Sequence, residues 1–152
     1  MKITYKGDYA LKALLQLALR YNEDDVLSIS EIAKFGDMPV KFLEQILLTL
    51  RRGGFVKAKR GVQGGFSLAR HPKDITRGEV IRFIEGPIEP ISCVEKGHYK
   101  GCKDVSSCIF RGVWKEVSHA ISVVVDTLTF EELVMRYKAR NLDERLIHEY
   151  SI

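Results

Sequence analysis

Two short helix patterns separated by a tight turn constrain the fold of this 152-residue chain most strongly. Ser28 and Glu31 have the spacing of a capping box, which predicts the start of a short helix. The turn Gly36-Asp37-Met38-Pro39 follows, and Pro39 suits the first position of a second helix. That helix ends at Gly53-Gly54. Its apolar residues, which we expect to face inward, are Phe42, Leu43, Ile46, Leu47 and Leu50. This arrangement is typical of a helix-turn-helix unit.

A hairpin pattern directly after the second helix extends this unit. Residues 55–59 and 66–69 read as two short strands, and the glycine-rich stretch 60–65 reads as the turn between them. A hairpin in this position is a wing, so the sequence predicts a winged helix.

A further helix is predicted on the N-terminal side of the helix-turn-helix unit, because apolar spacing indicates an amphipathic helix over about 8–21. Asp8 lies near the start of that helix, where a carboxylate can bond unpaired N–H groups.

The sequence of the second half of the chain predicts further helices on both sides of one irregular segment. Thr76 and Glu79 form a second capping box, and their helix stops at Gly86-Pro87. A long helix is expected over about 110–127, and Thr129 with Glu132 predicts a last short helix reaching about Arg140. The predicted fold is mostly α with a small β-wing. It comprises a DNA-binding domain (1–86), a cysteine loop (87–109), dimerisation helices (110–140) and a charged tail (141–152).

The long predicted helix carries an apolar stripe that needs a partner. It could pack on the helix at 8–21 of the same chain, or on a second copy of the chain. We favour a homodimer, because winged-helix proteins that read palindromic DNA are usually dimers.

Charge is distributed unevenly along the chain. Residues 1–77 carry 14 Lys and Arg against 8 Asp and Glu, whereas the overall net charge is only +4. Segment 51–60 alone contains five basic residues and no acid. A basic half suggests a polyanion partner such as nucleic acid, although a solvated charged face is the simpler alternative. The start of the chain lacks a signal-peptide pattern and no apolar run reaches membrane length, so we expect a cytoplasmic protein without membrane contact.

All three cysteines, Cys93, Cys102 and Cys108, lie in the irregular segment. In a reducing cytosol such a cluster indicates a metal site or reactive thiols more often than a disulfide. The spacing C-x8-C-x5-C contains no C-x2-C pair, so it is not that of an ordinary zinc ribbon. An iron–sulfur cluster, a metal-free thiol redox switch, structural zinc and cysteines that have lost their role all remain open.

Several motifs together resemble the IscR/NsrR family of transcriptional regulators, also called the Rrf-two family. The motifs are Tyr9-Ala10-Leu11, Ser30-Glu31-Ile32-Ala33, Phe42-Leu43-Glu44-Gln45-Ile46-Leu47, Leu50-Arg51-Arg52-Gly53-Gly54-Phe55-Val56 and Arg60-Gly61-Val62-Gln63-Gly64-Gly65-Phe66. The resemblance covers nearly the whole chain. It implies a dimeric DNA-binding regulator, expected to be a repressor, that senses iron–sulfur status, nitric oxide or redox state through a [2Fe-2S] or [4Fe-4S] cluster.

The same resemblance raises the question of a fourth cluster ligand. The family commonly has C-x5-C-x5-C spacing, and this chain lengthens the first interval by three residues. One branch of the family uses a His three residues after the last Cys, where this chain has Arg111. Another uses an Asp near the N-terminus of the partner subunit, which corresponds to Asp8. His98, solvent and a small molecule are the other candidates.

DNA contacts are expected from the second helix and the wing. The N-terminal residues of that helix are Val40, Lys41, Glu44 and Gln45. Gln45 can pair with adenine and Glu44 can accept from cytosine. The resemblance implies that Glu44 tunes sequence choice, and simple solvent exposure is the alternative. At the wing, Arg60 suits a narrow minor groove and Gln63 is a second candidate. Thr49 and Arg51 are expected to contact phosphate if they contact DNA at all, and for Arg51 solvent exposure is the alternative.

An enzyme is the weakest functional class for this sequence. A catalytic cysteine would need one of the four histidines, which are His71, His98, His119 and His148. None of them forms a recognisable Cys–His motif. A winged helix that binds protein is a third class, and the basic wing argues against it.

Overall fold

The computed structural model describes residues 3–21, 26–95 and 102–149, and of residues 143–149 it describes the backbone alone. Its helices are α1 (Tyr5–Leu19), α2 (Ile29–Lys34), α3 (Val40–Arg52), α4 (Arg77–Glu85), α5 (Ile109–Thr127) and α6 (Phe130–Glu149). The strands are β1 (Val56–Lys59) and β2 (Gly65–Leu68), and two 3₁₀ turns span Pro72–Asp74 and Ser92–Val94. This order confirms the predicted mostly helical fold with a β-wing. None of the described helices combines the length and apolarity needed to cross a membrane.

The wing is a two-stranded antiparallel sheet in which Val56 pairs with Leu68 and Lys59 pairs with Gly65. Leu27 extends it on the other side, because its N–H and C=O both bond to Phe66, at 2.9 and 2.8 Å. The backbone just before α2 is therefore attached to the wing. This contact fixes the wing relative to the helix-turn-helix.

One hydrophobic core supports the helix-turn-helix and the wing. The inward face of α3 is fully buried at Leu43, Ile46, Leu47 and Leu50, and it packs on α1, α2 and β1. Phe130 at the start of α6 is also fully buried in this core. Apolar burial of this kind is the main stabilising contribution to a domain of this size.

Two capping boxes form as the sequence predicts, and a third forms in part. Ser28 Oγ accepts from Glu31 N–H while Glu31 accepts from Ser28 N–H at 2.8 Å. The hydrogen bond from the Ser28 hydroxyl is the main cause that lowers the pKa of Glu31. Thr129 and Glu132 make the same reciprocal pair. Thr76 caps α4, but the Glu79 carboxylate pairs with Arg70 at 2.8 Å instead of closing the box.

The helix ends differ from prediction in three places. α1 begins at Tyr5 rather than at residue 8, because the Thr4 hydroxyl accepts from Lys6 N–H and caps it. Pro39 is the N-cap of α3 and not its first residue. α6 continues past Arg140 to Glu149, so the last helix is not short. Residues 141–149 contain neither Gly nor Pro, and Leu, Glu and Arg favour continued helix.

Phe42, which was expected to face inward, is exposed instead, and so is Phe83 of α4. Phe42 in α3 is 40% exposed and its ring packs edge-on against Tyr9 of α1. Phe83 in α4 is 43% exposed and packs against Phe55. Both rings lie at the border of the core, where helical periodicity cannot separate buried from half-covered positions.

Candidate nucleic-acid interface and cysteine segment

The N-terminal half of α3 presents its polar residues to solvent. Lys41, Glu44 and Gln45 are exposed and Val40 is 49% exposed, while the intervening Leu43 is buried. The amphipathic pattern produces this division, because residues three and four apart share a face. No side chain caps α3, and its first turn contains no acid. The positive end of the helix is therefore available to an anion.

Thr49 has a local partner instead of a free hydroxyl. Its Oγ1 donates to the carbonyl of Gln45 at 2.9 Å. This bond within α3 uses the only hydroxyl proton of Thr49, and a phosphodiester oxygen can only accept, so the hydroxyl is not available to donate to phosphate in this conformation.

The wing places Arg60 and Gln63 in an exposed turn. Gly64 N–H bonds to the carbonyl of Gly61 at 2.9 Å, which closes the turn. Gly61 has a φ of 113°, a conformation that side chains disfavour. Gly65 faces the backbone of Leu27 so closely that a Cβ would overlap it. These glycines are thus required by the geometry of the hairpin, whatever the wing contacts.

A basic surface connects the end of α3 with the wing. Arg51, Arg52, Lys57, Lys59 and Arg60 are exposed, and within the described part of the chain none has an ion-pair partner within 4.0 Å. Arg51 and Arg52 lie in the last turn of α3, where positive charge is favourable. The strand β1 turns three of its four residues outward. This surface carries positive charge that a polyanion could neutralise.

The cysteine segment leads from α4 to α5. Cys93 lies in the 3₁₀ turn Ser92–Val94 and is half-buried, Cys102 is exposed, and Cys108 is the half-buried N-cap of α5. Arg111, in the first turn of α5, donates from Nε to the carbonyl of Cys93 at 3.2 Å. Arg111 thus ties the backbone at Cys93 to the helix that Cys108 begins.

Whether these residues suit a metal group depends on chemistry and on arrangement. Thiol donors suit iron–sulfur clusters and zinc alike. Across residues 3–21, 26–95 and 102–142, whose side chains the structure describes, no three His, Cys, Asp or Glu side chains are grouped to hold a metal ion. The donor set therefore fits a cluster chemically, while its described members are not assembled around a common point. His98, another predicted ligand, lies outside the described residues.

Asp8 does not cap α1 as its position suggested. Its carboxylate forms an ion pair with Lys12 Nζ at 2.7 Å, one turn further along the helix. Both side chains are close to half exposed, so the pair is worth little in free energy. Asp8 remains accessible on the surface of α1.

Glu85 is a residue that the sequence patterns did not indicate. Its Oε1 accepts from Thr4 N–H at 3.0 Å, from Thr4 Oγ1 at 2.7 Å and from Gly7 N–H at 3.0 Å. Burial acts to raise the pKa of Glu85, but the hydrogen bonds from Thr4 and Gly7 outweigh it and lower the pKa. A Cβ at Gly7 would overlap Glu85 Oε1. Glu85, at the end of α4, therefore satisfies backbone N–H groups at the start of α1.

A second polar contact from α4 holds α5. The guanidinium of Arg82 bonds both carboxylate oxygens of Asp126, at 2.5 and 3.1 Å, and Ser122 at 3.3 Å. The hydrogen bond to Asp126 is the main cause that raises the pKa of Arg82. Since Arg82 and Glu85 lie one turn apart, α4 connects α5 with α1.

The surface of α5 is mostly uncovered within one chain. Val125 is its one buried residue, and α5 packs against α4 and the Ser92–Val94 turn, whereas α6 packs against α1. Large apolar side chains are exposed along α5 at Ile109, Phe110, Val113, Trp114, Val117, Val123 and Val124. Such a contiguous apolar face on a water-exposed helix marks an interaction surface.

Comparison with known proteins agrees with this architecture. The family model Rrf2, described as an iron-dependent transcriptional regulator, matches residues 3–136. A putative HTH-type transcriptional regulator of Rhodobacter capsulatus, described as rrf2-like, is 42% identical over 87% of this chain and 91% of its own length.

Two solved structures are similar over most of both chains. CymR, the global cysteine regulator of B. subtilis, has a TM-score of 0.74 and 32% identity over 90% of this chain and 98% of its own. T. potens IscR has a TM-score of 0.70 and 32% identity over 90% and 88%. These regulators confirm the expected winged-helix fold and a regulatory rather than an enzymatic role. The chain belongs to the Rrf2 family of transcriptional regulators, and it is a DNA-binding regulator.

Proposed function

We propose that this chain is a homodimeric, sequence-specific repressor that acts in the cytoplasm on a double-stranded DNA operator. The observation that carries the proposal is the exposed polar face of α3 beside a wing whose basic side chains lack ion-pair partners in the described structure. Membership of a family of transcriptional regulators supports the same role.

Each exposed residue has a role that follows from its chemistry. Gln45 can read adenine and Glu44 can accept from cytosine in the major groove, with Lys41 and Val40 beside them at the first turn of α3. Arg60, with Gln63, is suited to a narrow minor groove. Arg51 serves the phosphate backbone and contributes affinity without sequence preference.

Dimerisation through α5 supports this mode of binding. A second copy of the chain would cover the exposed apolar face at Val113, Trp114 and Val117. Two-fold symmetry would then present two copies of α3 to half-sites about one helical turn of DNA apart, roughly 34–36 Å. The operator is accordingly expected to be a palindrome.

For the signal, we propose an iron–sulfur cluster held by Cys93, Cys102 and Cys108, with Asp8 of the partner subunit as the leading candidate for the fourth ligand. Similarity to an IscR structure and the iron-dependent description of the family support this choice. A bound cluster would supply sensitivity to oxidants, nitric oxide or iron supply. Arg111 cannot take the ligand position it occupies, because a guanidinium has no free lone pair to donate. It holds the Cys93 backbone instead.

Operator selection from a random duplex library tests the DNA-binding proposal. Fluorescence anisotropy then compares the selected palindrome with a scrambled duplex for wild type, Gln45→Ala, Arg60→Ala and Lys138→Ala. We expect losses of about 1–3 kcal/mol in specific binding for Gln45→Ala and Arg60→Ala. Lys138, exposed on α6, is the matched control and should leave the ratio unchanged. Equal affinity of wild type for both duplexes would contradict sequence-specific binding.

Anaerobic purification with iron and acid-labile sulfide analysis tests the cluster. A brown protein that contains both iron and acid-labile sulfide supports it, and Cys102→Ser should abolish the colour. Zinc without sulfide, or no metal, would instead favour the zinc or thiol-redox alternative. Similarity to CymR, a cysteine regulator, makes that alternative worth the direct measurement.

A further inference from the structure

A polar groove lies along α5 on the side that faces α4 and the Ser92–Val94 turn. Its volume is about 880 Å³, within the range of roughly 300–1,000 Å³ that is typical of small-molecule sites. Cys93 lies on its wall, but most of its lining comes from residues that have no place in cluster ligation or DNA contact. The groove therefore requires its own explanation.

One wall of the groove carries a row of basic groups. Arg111, Lys115 and His119 follow i, i+4, i+8 spacing on α5, which spreads them over about 12 Å of the helix axis. In the part of the chain that the structure describes, none of the three has an ion-pair partner within 4.0 Å. The neighbouring acid Asp126 is already bonded to Arg82. This wall is suited to a carboxylate or another small anion.

An unsatisfied carboxylate oxygen lies in the same groove. Glu89 Oε2 is buried and accepts no hydrogen bond from the described residues. A buried acceptor without a donor is destabilising, and more so when the group is charged. Arg82 is close enough for Glu89 to raise its pKa further, but its donors are directed at Asp126 and Ser122. Within the described residues Glu89 Oε2 thus lacks a donor, and the ammonium group of a ligand would supply one.

We propose that this groove is an effector site for a small zwitterion, an α-amino acid or a short peptide. Its carboxylate would bind to Arg111 and Lys115, and its ammonium group to Glu89. A ligand held in this way touches α5 on one side and the segment that follows α4 on the other. Because Arg82 lies in the groove and joins α4 to α5, occupancy would bias the placement of α5 relative to the winged helix. The site does not depend on a cluster.

Isothermal titration calorimetry of the full chain tests the proposal. The probes are the twenty L-amino acids and reduced glutathione, with acetate and methylamine as ligands of a single charge. We expect at least one zwitterion to bind once per chain and the single-charge ligands to bind at least tenfold more weakly. Lys115→Met and Glu89→Gln should each weaken that zwitterion by tenfold or more, and Lys138→Met on α6 should not change it. Circular dichroism confirms that each variant is folded.

Three results would overturn the proposal: no probe binds, acetate binds as tightly as the best zwitterion, or both groove variants bind like wild type. A Cys102→Ser, Cys108→Ser variant separates the site from the cluster, since neither residue lines the groove. It should lose iron and keep the zwitterion. Operator affinity of ligand-free Lys115→Met should equal that of wild type, so failure of the effector site is distinguishable from failure of the DNA-binding proposal.

Discussion

Replacing Glu85 tests how α4 stabilises the start of α1. One carboxylate oxygen, Oε1, accepts three hydrogen bonds from Thr4 and Gly7. Hydrogen bonds to a charged group contribute about 1.5–3 kcal/mol in net terms, and loss of a helix cap costs about 1 kcal/mol. Two of the three bonds are exposed to solvent, which reduces their value. We therefore expect Glu85→Ala to lower the free energy of unfolding by about 2 kcal/mol.

Glu85→Gln separates charge from shape. The amide oxygen can still accept the same hydrogen bonds, and neutral bonds are roughly half as strong as charge-assisted ones, so the expected loss is about 1 kcal/mol. Glu131→Ala, at an exposed position in the first turn of α6, is the matched control and should cost about 0.5 kcal/mol or less. Urea unfolding followed by circular dichroism at one fixed protein concentration measures all three, since the proposed dimerisation would make apparent stability concentration-dependent.

The pH dependence provides an independent check on Glu85. Its pKa is lower in the folded protein than its ordinary value of 4.5. A lowered folded pKa means that the stabilisation is fully present above the unfolded pKa and is lost as pH falls through the folded pKa. The difference between wild type and Glu85→Ala should thus be constant from neutral pH to about 5 and shrink below about 4. A loss no larger than that of Glu131→Ala, or a difference that grows in acid, would refute the reasoning.

Three further substitutions test other parts of the structure. Ser28→Ala removes the capping box of α2 and should cost about 1 kcal/mol of stability in urea unfolding; an unchanged midpoint would contradict the role of the box. Gly65→Ala forces a Cβ against the Leu27 backbone and should lower the melting temperature by several degrees for a loss of about 1–3 kcal/mol, whereas a neutral result would mean that the wing tolerates displacement. Trp114→Glu places a charge on the exposed apolar face of α5, so light scattering should find a monomer where wild type is a dimer; a dimer in both would assign dimerisation to another surface.

Local sequence signals were enough for most of the fold. Helices α2, α4 and α5 start and stop close to where capping residues, glycines and apolar periodicity indicate, because caps and periodicity act over three to five residues. Helix α3 starts one residue later than predicted, at Val40. The wing followed from two short apolar stretches around a glycine-rich turn. The predicted start of α1 and end of α6 were wrong. Thr4, not Asp8, caps α1, and the charged residues 141–149 continue α6 because they contain neither Gly nor Pro.

The residues of the candidate site could also be predicted only in part from the sequence. Sequence alone placed Lys41, Glu44, Gln45 and Arg60 on exposed surfaces, since each is polar and lies outside the buried helical face or in a turn. It identified three cysteines in one segment but could not tell whether their thiols converge, because convergence depends on the path of a long irregular chain.

The sequence by itself therefore determined the elements of this regulator, the winged helix they build, the polar face of α3 and the thiols of the cysteine segment. Only the tertiary structure decided that Glu85 accepts hydrogen bonds from the start of α1 and that Arg82 binds Asp126. It also decided that Arg111 and Glu89 line one groove on α5. These contacts join residues up to 81 positions apart. No local pattern encodes such pairs, because their energy exists only when packing of the whole core has brought α1, α4 and α5 together.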